Sequence, residues 1–108
     1  MKKELKMSTE EAREKLILHF WQILEYWEQE SRKPSTREKM EGLLFSILVT
    51  LDGGSGMMPG FTVSARVPPA DVKFHEKEGS KYFPPDEDLG GGLHDILYPI
   101  LRKHGKID

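Results

Sequence analysis

Four side chains in the second half of the chain can bind a divalent cation or move a proton: those of His75, Glu76, His94 and Asp95. Imidazole nitrogens and carboxylate oxygens are ligands for zinc and other divalent ions. The two histidines come together only if the polar segment 76–92 folds over the helix expected to carry His94. These residues give one hypothesis, a metal-dependent hydrolase or a ligand-binding protein with a divalent metal as cofactor.

The His94-Asp95 pair resembles the His-Asp dipeptide of metal-dependent phosphohydrolases. Those enzymes need further ligands on several helices, and this chain has only His19, His75 and His104 besides. Neighbouring helix positions diverge by about 100°, so His94 and Asp95 are not expected to share one metal. In the structural alternative, His94 makes a capping or surface hydrogen bond. No nucleophile has an adjacent base, so the leading interpretation has no catalytic residue and no cofactor.

Two glycine-rich segments, 53–60 and 90–92, invite comparison with phosphate-binding loops. Neither contains the GxGxxG or GxxxxGK[ST] motif. The first follows the carboxyl end of a predicted helix, whose partial negative charge repels anions, and Gly53 is expected in the left-handed position that ends this helix. The second is expected to be a hinge and cap, with Asp95 and the acidic residues 86–88 complementing the start of the last helix.

The composition narrows the class of protein. The chain of 108 residues has no cysteine and a net charge of -2, which predicts one domain, 1–108, without thiolate metal sites and argues against nucleic acid as a partner. Residues 1–7 are expected to be a flexible N-terminal segment without the apolar core of a signal peptide. No apolar run approaches the about 20 residues of a membrane span. We therefore expect a cytoplasmic protein that does not contact membranes.

Capping signals predict a hairpin of two helices. Ser8 and Ser35 each begin a capping box, with Glu11 and Glu38 three residues later. The first helix is expected to run to about Ser31. The second is expected to run to about residue 51, with its second half apolar on nearly all sides. A break at Lys33-Pro34 separates them, so the helices should lie antiparallel.

The rest of the chain predicts an α+β fold. Apolar and polar residues alternate over 61–67, which indicates a strand, and 72–75 is a candidate for a short antiparallel partner strand. A C-terminal helix is expected from about residue 91 to 103, weakened or kinked by Pro99 and ended by Gly105. The predicted fold is thus a helical hairpin packed with a small β-hairpin and closed by a C-terminal helix.

Self-association is the leading functional hypothesis. The apolar residues of the first helix cover an arc of about 180°, and a core face needs little more than about 100°. Ile17, Trp21 and Leu24 therefore need additional cover. On the second helix, small residues at a spacing of four allow another backbone to approach closely: Gly42, Ser46 and Thr50. We expect a non-catalytic protein-binding or assembly module that acts as a homodimer through these six positions.

Four segments together resemble a group of small, uncharacterised bacterial and phage-type proteins. The segments are REKMEGLLFSILVTLDGGS at 37–55, PGF at 59–61, HEKEGSKYFP at 75–84 and LHDILY at 93–98. These segments lie within residues 37–98, which is somewhat more than half of the chain. It implies a compact intracellular domain and implies no activity, ligand or catalytic residue.

Overall fold

A computed structural model describes residues 6–33 and 35–108 and contains, within those ranges, four helices and no β-strand. The helices are α1 (Thr9–Gln29), α2 (Thr36–Leu51), α3 (Pro69–Glu78) and α4 (Leu93–Lys103). The predicted α+β class is therefore wrong, and the described chain is all-helical. Of the predicted flexible segment 1–7, residues 1–5 lie outside the described residues, as does Pro34 of the predicted break.

The chain divides into two compact units, each considered by itself below. The first unit extends to Leu48 and holds α1 and most of α2. The second unit runs from Val49 to Asp108 and holds the last turn of α2, the helices α3 and α4, and two long loops.

Both predicted helix starts in the first unit are confirmed. The Glu11 N–H donates to Ser8 Oγ at 3.1 Å, and the Ser8 N–H donates to Glu11 Oε1 at 3.3 Å, which completes the capping box of α1. At α2, the Glu38 N–H donates to Ser35 Oγ at 3.1 Å. These bonds satisfy amide groups that a helix start otherwise leaves unpaired, and so they fix where each helix begins.

Contacts of one tryptophan hold α1 against α2. Trp27 Nε1 donates to Ser46 Oγ at 2.8 Å, and a Cβ added at Gly42 would lie 2.6 Å from the Trp27 ring. The Lys39 ammonium donates to the Glu28 carbonyl oxygen at 2.8 Å. Residues in the last turn of α1 thus contact residues from the start of α2 to beyond its middle, as expected for two helices joined by a short loop.

Replacing Gly42 with valine is expected to destabilise the first unit by about 2 kcal/mol, because the new side chain would overlap the indole and force it to move. The matched control is Gly56→Val, since no atom lies within 4 Å of a Cβ built at Gly56. Urea unfolding measures both variants. A G42V variant as stable as the control would contradict the tight approach of Trp27 to this glycine.

The end of α2 also follows the prediction. Gly53 has a left-handed backbone with φ of 87°. Its N–H donates to the Thr50 carbonyl at 3.1 Å, and the Gly54 N–H donates to the Val49 carbonyl at 2.8 Å. This pair of bonds is the Schellman arrangement, which ends a helix and leaves Asp52 as the last residue before the turn.

The predicted β-hairpin is replaced by a loop and a helix. Segment 61–67 is extended but makes only isolated bridges, Ser64 with Asp88 and Ala65 with Pro85. The segment predicted as its partner, 72–75, lies inside α3. Pro69 occupies the first turn of α3, where its missing N–H costs nothing, and Gly79 closes the helix with φ of 71°. Pro69 at the start and Gly79 at the end of this helix therefore outweigh the alternation of apolar and polar residues over 72–75.

The C-terminal helix α4 is present within the predicted range, although it starts two residues later than expected. Pro99 lies inside it, as anticipated, and the helix continues past it to Lys103. Gly105 ends the helix with φ of 69°, and its N–H donates to the Arg102 carbonyl at 3.0 Å. At its start, Gly92 is the N-cap and offers no side-chain acceptor. The first amides of α4 therefore need an acceptor from elsewhere in the chain.

Apolar burial is incomplete throughout the part of the chain that the structure describes. Its buried residues are Glu30, Gly42 and Thr50, and no large apolar side chain is buried there. Within the same ranges, no helix combines the length and the apolar character needed to cross a membrane. Much apolar surface is thus accessible in the described part of the chain.

Candidate functional site

The carboxylate of Asp52 binds the start of α4. It accepts hydrogen bonds from the Gly91 N–H at 3.0 Å and from the His94 N–H at 2.8 Å. Its side chain is only 3 % exposed. Asp52 therefore supplies the acceptor that Gly92 lacks, and its negative charge lies at the positive end of the helix dipole.

The His94 ring lies between two carboxylates. Its Nδ1 is 2.6 Å from Asp52 Oδ2, and its Nε2 is 3.3 Å from Asp95 Oδ1. The ring is 29 % exposed, whereas the Asp95 side chain is 74 % exposed. When both ring nitrogens carry protons, each can donate to one carboxylate. His94 and Asp95 thus come closer than their neighbouring positions on one helix suggested.

The protonation of this cluster follows from its contacts. Burial alone would raise the pKa of Asp52, but hydrogen bonds from the His94 amide, the His94 ring and the amides of Leu93 and Gly91 hold it well below its usual value of 3.8. The hydrogen bond to Asp52 raises the pKa of His94 above 6.5, against partial burial, and the negative charges of Asp95 and Asp52 add to the increase. These contacts favour the imidazolium over the neutral ring more than in a free histidine.

The stability of the second unit is expected to depend on pH through this pair. Because folding raises the pKa of His94, its contribution is complete below about pH 6.5 and is lost as the pH rises through the folded-state pKa. Because folding lowers the pKa of Asp52, its contribution is complete above pH 3.8 and is lost in strong acid. An NMR titration of the His94 Cε1 proton tests this directly. A midpoint at or below 6.5 would contradict the ion pair.

The predicted metal residues divide into two places within the second unit. His94 and Asp95 lie together with Asp52, and we call these three residues the Asp52 cluster. His75 and Glu76 lie on α3. His75 Nδ1 is 2.8 Å from Ser80 Oγ, and its ring lies 6.2 Å from the Tyr82 ring at an interplanar angle of 29°. In residues 6–33 and 35–108, no group of three or more His, Asp or Glu side chains is placed to hold a metal ion. The divalent-metal hypothesis stays a prediction.

His75 instead lines a cleft. The cleft has a volume of about 360 Å³ and lies between α3, the extended segment 65–67 and the loop 81–83. Cationic, acidic and aromatic side chains surround it: Arg66, Asp71, His75, Lys81, Tyr82 and Phe83. These groups can offer hydrogen bonds, a positive charge and an aromatic surface to a small molecule.

The predicted interface residues of α1 remain accessible. Ile17 is 67 % exposed, Trp21 is 57 % exposed, and Leu24 is partly exposed. Leu24 also lines a groove of about 400 Å³ with Trp27, Met40 and Leu43. The apolar surface of α1 thus continues onto α2, where Met40 is 61 % exposed.

The three small residues of α2 have contacts of other kinds. Gly42 and Ser46 contact Trp27 of the same chain, so their small size serves the packing of α1 on α2. Thr50 belongs to the second unit and is 1 % exposed. The prediction that a helix approaches closely at this row is explained, for Gly42 and Ser46, by α1.

Asp52 was missed as a site residue by sequence reasoning, which considered only its neighbour Gly53, as the residue that ends α2. The signal that points to it is indirect. The segment Gly90-Gly91-Gly92 enters α4 without the Ser, Thr, Asp or Asn that usually caps a helix. A carboxylate distant in sequence is the natural substitute, but the sequence does not show which one.

Comparisons of the chain with protein-family models, with curated proteins and with solved structures gave no match.

Proposed function

We propose that the protein is a non-catalytic assembly module that works as a homodimer, with one face of α1 as its interface. The observation that supports this is the exposure of Ile17 and Trp21, at 67 % and 57 %, beside the partly exposed Leu24. Large apolar side chains that cluster on a surface commonly mark an interface. Tryptophan in particular is enriched among the residues that contribute most to binding.

These side chains occupy one continuous strip of α1. At about 100° per residue, Arg13, Ile17, Trp21, Leu24 and Glu28 fall within an arc of about 80°. We call these five residues the α1 face. Trp27, which packs on α2, lies to one side of this strip. The α1 face therefore adjoins the packing of the hairpin, and its residues Leu24 and Glu28 also line the groove against α2.

The spacing of the α1 face suits another helix. Ile17, Trp21, Leu24 and Glu28 recur at steps of four, three and four residues, which is the pattern of helices that pack side by side. A helical hairpin that binds a second hairpin in this way gives a four-helix arrangement, in which each apolar face is covered.

The charges at the two ends of the α1 face favour a second copy of the same chain. Arg13 is at one end and Glu28 at the other, and both are exposed. Within the described residues, neither makes an ion pair. If two copies of α1 pair antiparallel about a two-fold axis near residues 20–21, Arg13 faces the partner's Glu28 and Ile17 faces the partner's Leu24. A parallel arrangement would instead oppose like charges at each end.

Sedimentation equilibrium at micromolar concentration tests the proposal. The expected mass is twice the 12.4 kDa of the chain. Because exposed charges flank an apolar centre, added salt should weaken the dimer only modestly. A protein that stays monomeric up to concentrations of about 1 mM would overturn the proposal, since this limit corresponds to a binding free energy weaker than about -4 kcal/mol.

A further inference from the structure

We propose that the cleft between α3 and the loop 81–83 binds a small aromatic anion, that is, an aromatic ring that carries one phosphate or carboxylate group. This site lies in the second unit and is independent of the proposed dimer interface. Its volume of about 360 Å³ is at the lower end of the range for small-molecule sites, about 300–1,000 Å³.

The positive charge of the cleft comes from Arg66 and Lys81. Both side chains line the cleft, and within the described residues neither makes an ion pair with a carboxylate. Asp71 is the one carboxylate in the lining, so the charges of Arg66, Lys81 and Asp71 sum to +1. The planar guanidinium of Arg66 matches the oxygens of a phosphate or carboxylate in a two-bond arrangement. The cleft therefore favours an anion over a cation.

The aromatic part of the lining comes from the loop and from α3. Tyr82 and Phe83 are 38 % and 68 % exposed, which leaves ring surface available to a ligand. The Tyr82 ring lies nearly parallel to the His75 ring, at 29°. The bond between His75 Nδ1 and Ser80 Oγ holds this imidazole in place. Stacking of a planar ligand on such rings adds affinity without selecting one particular ring.

The position of Asp71 adds a polar contact. Asp71 and His75 are four residues apart on α3 and so share one face of the helix. A carboxylate is an acceptor only, so Asp71 suits a hydroxyl or amino group of the ligand. A nucleoside monophosphate and a simpler aryl phosphate both have the required ring and charge.

Calorimetric titration of the full chain at constant ionic strength tests the site with four probes: adenosine monophosphate, phenyl phosphate, inorganic phosphate and adenosine. We expect saturable binding of the two aromatic anions with dissociation constants of about 10 μM to 1 mM, and at least about tenfold weaker binding of inorganic phosphate and of adenosine. Tighter binding of adenosine monophosphate than of phenyl phosphate would identify a nucleotide as the better ligand. Equal binding of the two would show that an aromatic ring with an anionic group is sufficient. Both results support the site.

Charge-neutralising variants locate the binding. Arg66→Gln and Lys81→Gln should each weaken the binding of the aromatic anions by about tenfold or more. The control, Lys103→Gln on α4, removes the same charge outside the cleft and should leave their binding unchanged. Circular dichroism confirms that each variant is folded. Absence of saturable binding by either aromatic anion would overturn the proposal. So would equal binding of inorganic phosphate, or equal losses in the three variants.

Discussion

Replacement of Asp52 by alanine is expected to lower the melting temperature by on the order of 10 °C. The carboxylate accepts bonds from the amides of Gly91 and His94 and from the His94 ring. Removing it leaves the first turn of α4 without its acceptor and the His94 ring without the nearer of its two carboxylates. A donor left unpaired costs more than a hydrogen bond contributes when it is present.

The variant Asp52→Asn separates the two roles of this side chain. Its amide oxygen can still accept one backbone bond, but the negative charge that holds the proton on His94 is gone. The melting temperature should fall less than in the alanine variant, and the pKa of His94 should lose most of its elevation, with the charge of Asp95 maintaining the remainder. The loss of stability as the pH rises above about 6.5 should then become smaller, because folding causes less proton uptake by His94.

The control for Asp52 is Glu87→Ala, which removes the same charge from an exposed position in the loop before α4. Exposed side chains without specific contacts usually change stability very little. Differential scanning calorimetry gives the melting temperatures, and hydrogen exchange of the Gly91 and His94 amides shows whether the start of α4 has opened. If Asp52→Ala had the same melting temperature as Glu87→Ala, the role of Asp52 as the cap of α4 would be refuted.

Substitution of Trp21 by serine is expected to weaken the proposed dimer by at least about 30-fold, the effect of losing a residue at the centre of an interface. Tyr26→Ser is the matched control. Tyr26 is 54 % exposed against 57 % for Trp21, but it lies on the opposite side of α1. Sedimentation of the two variants therefore compares two aromatic residues of similar exposure that differ in the face they occupy. Equal dissociation by both would remove the α1 face as the interface.

Charge reversal tests the antiparallel arrangement. Arg13→Glu alone and Glu28→Arg alone should each weaken association, because each places like charges opposite one another across the two-fold axis. The double variant restores opposite charges and should recover most of the affinity of the native chain. A double variant weaker than either single variant would rule out this pairing while leaving open association through another register of the same face.

The sequence was a good guide to three of the four helices in the described ranges. Ser8 and Ser35 are local caps, and Gly53 and Gly105 end helices by adopting left-handed backbones, so neighbours in sequence determine these boundaries. The α3 helix was missed because its residues 72–75 alternate in polarity as a strand does. Pro69 at its start and Gly79 at its end are the better signals, since each fixes a backbone angle directly.

The Asp52 cluster could not be predicted from the sequence for a different reason. Its bonds connect residues 39 and 42 positions apart, and no local pattern encodes such a pairing. The predicted metal site grouped His75 with His94. In the structure, the His75 imidazole contacts Ser80, and the His94 imidazole contacts Asp52. The exposed positions of α1 were easier to predict, because helical periodicity alone places Ile17 and Trp21 to one side of Trp27, which packs on α2.

The turn after α2 has a use that follows from the way its two ends meet. A Cβ on Gly53 would lie 3.1 Å from the Gly60 Cα, and the Phe61 N–H donates to the Leu51 carbonyl at 3.0 Å, so the two ends of the loop 53–60 are held together. At the tip of this loop, a Cβ built at Gly56 would have no atom within 4 Å, and Met57 is 74 % exposed. The entropy of a closed loop changes slowly with its length. The tip at Gly56 is therefore a permissive insertion point, where a peptide tag or a fluorophore can be attached without disturbing Asp52 or the helices.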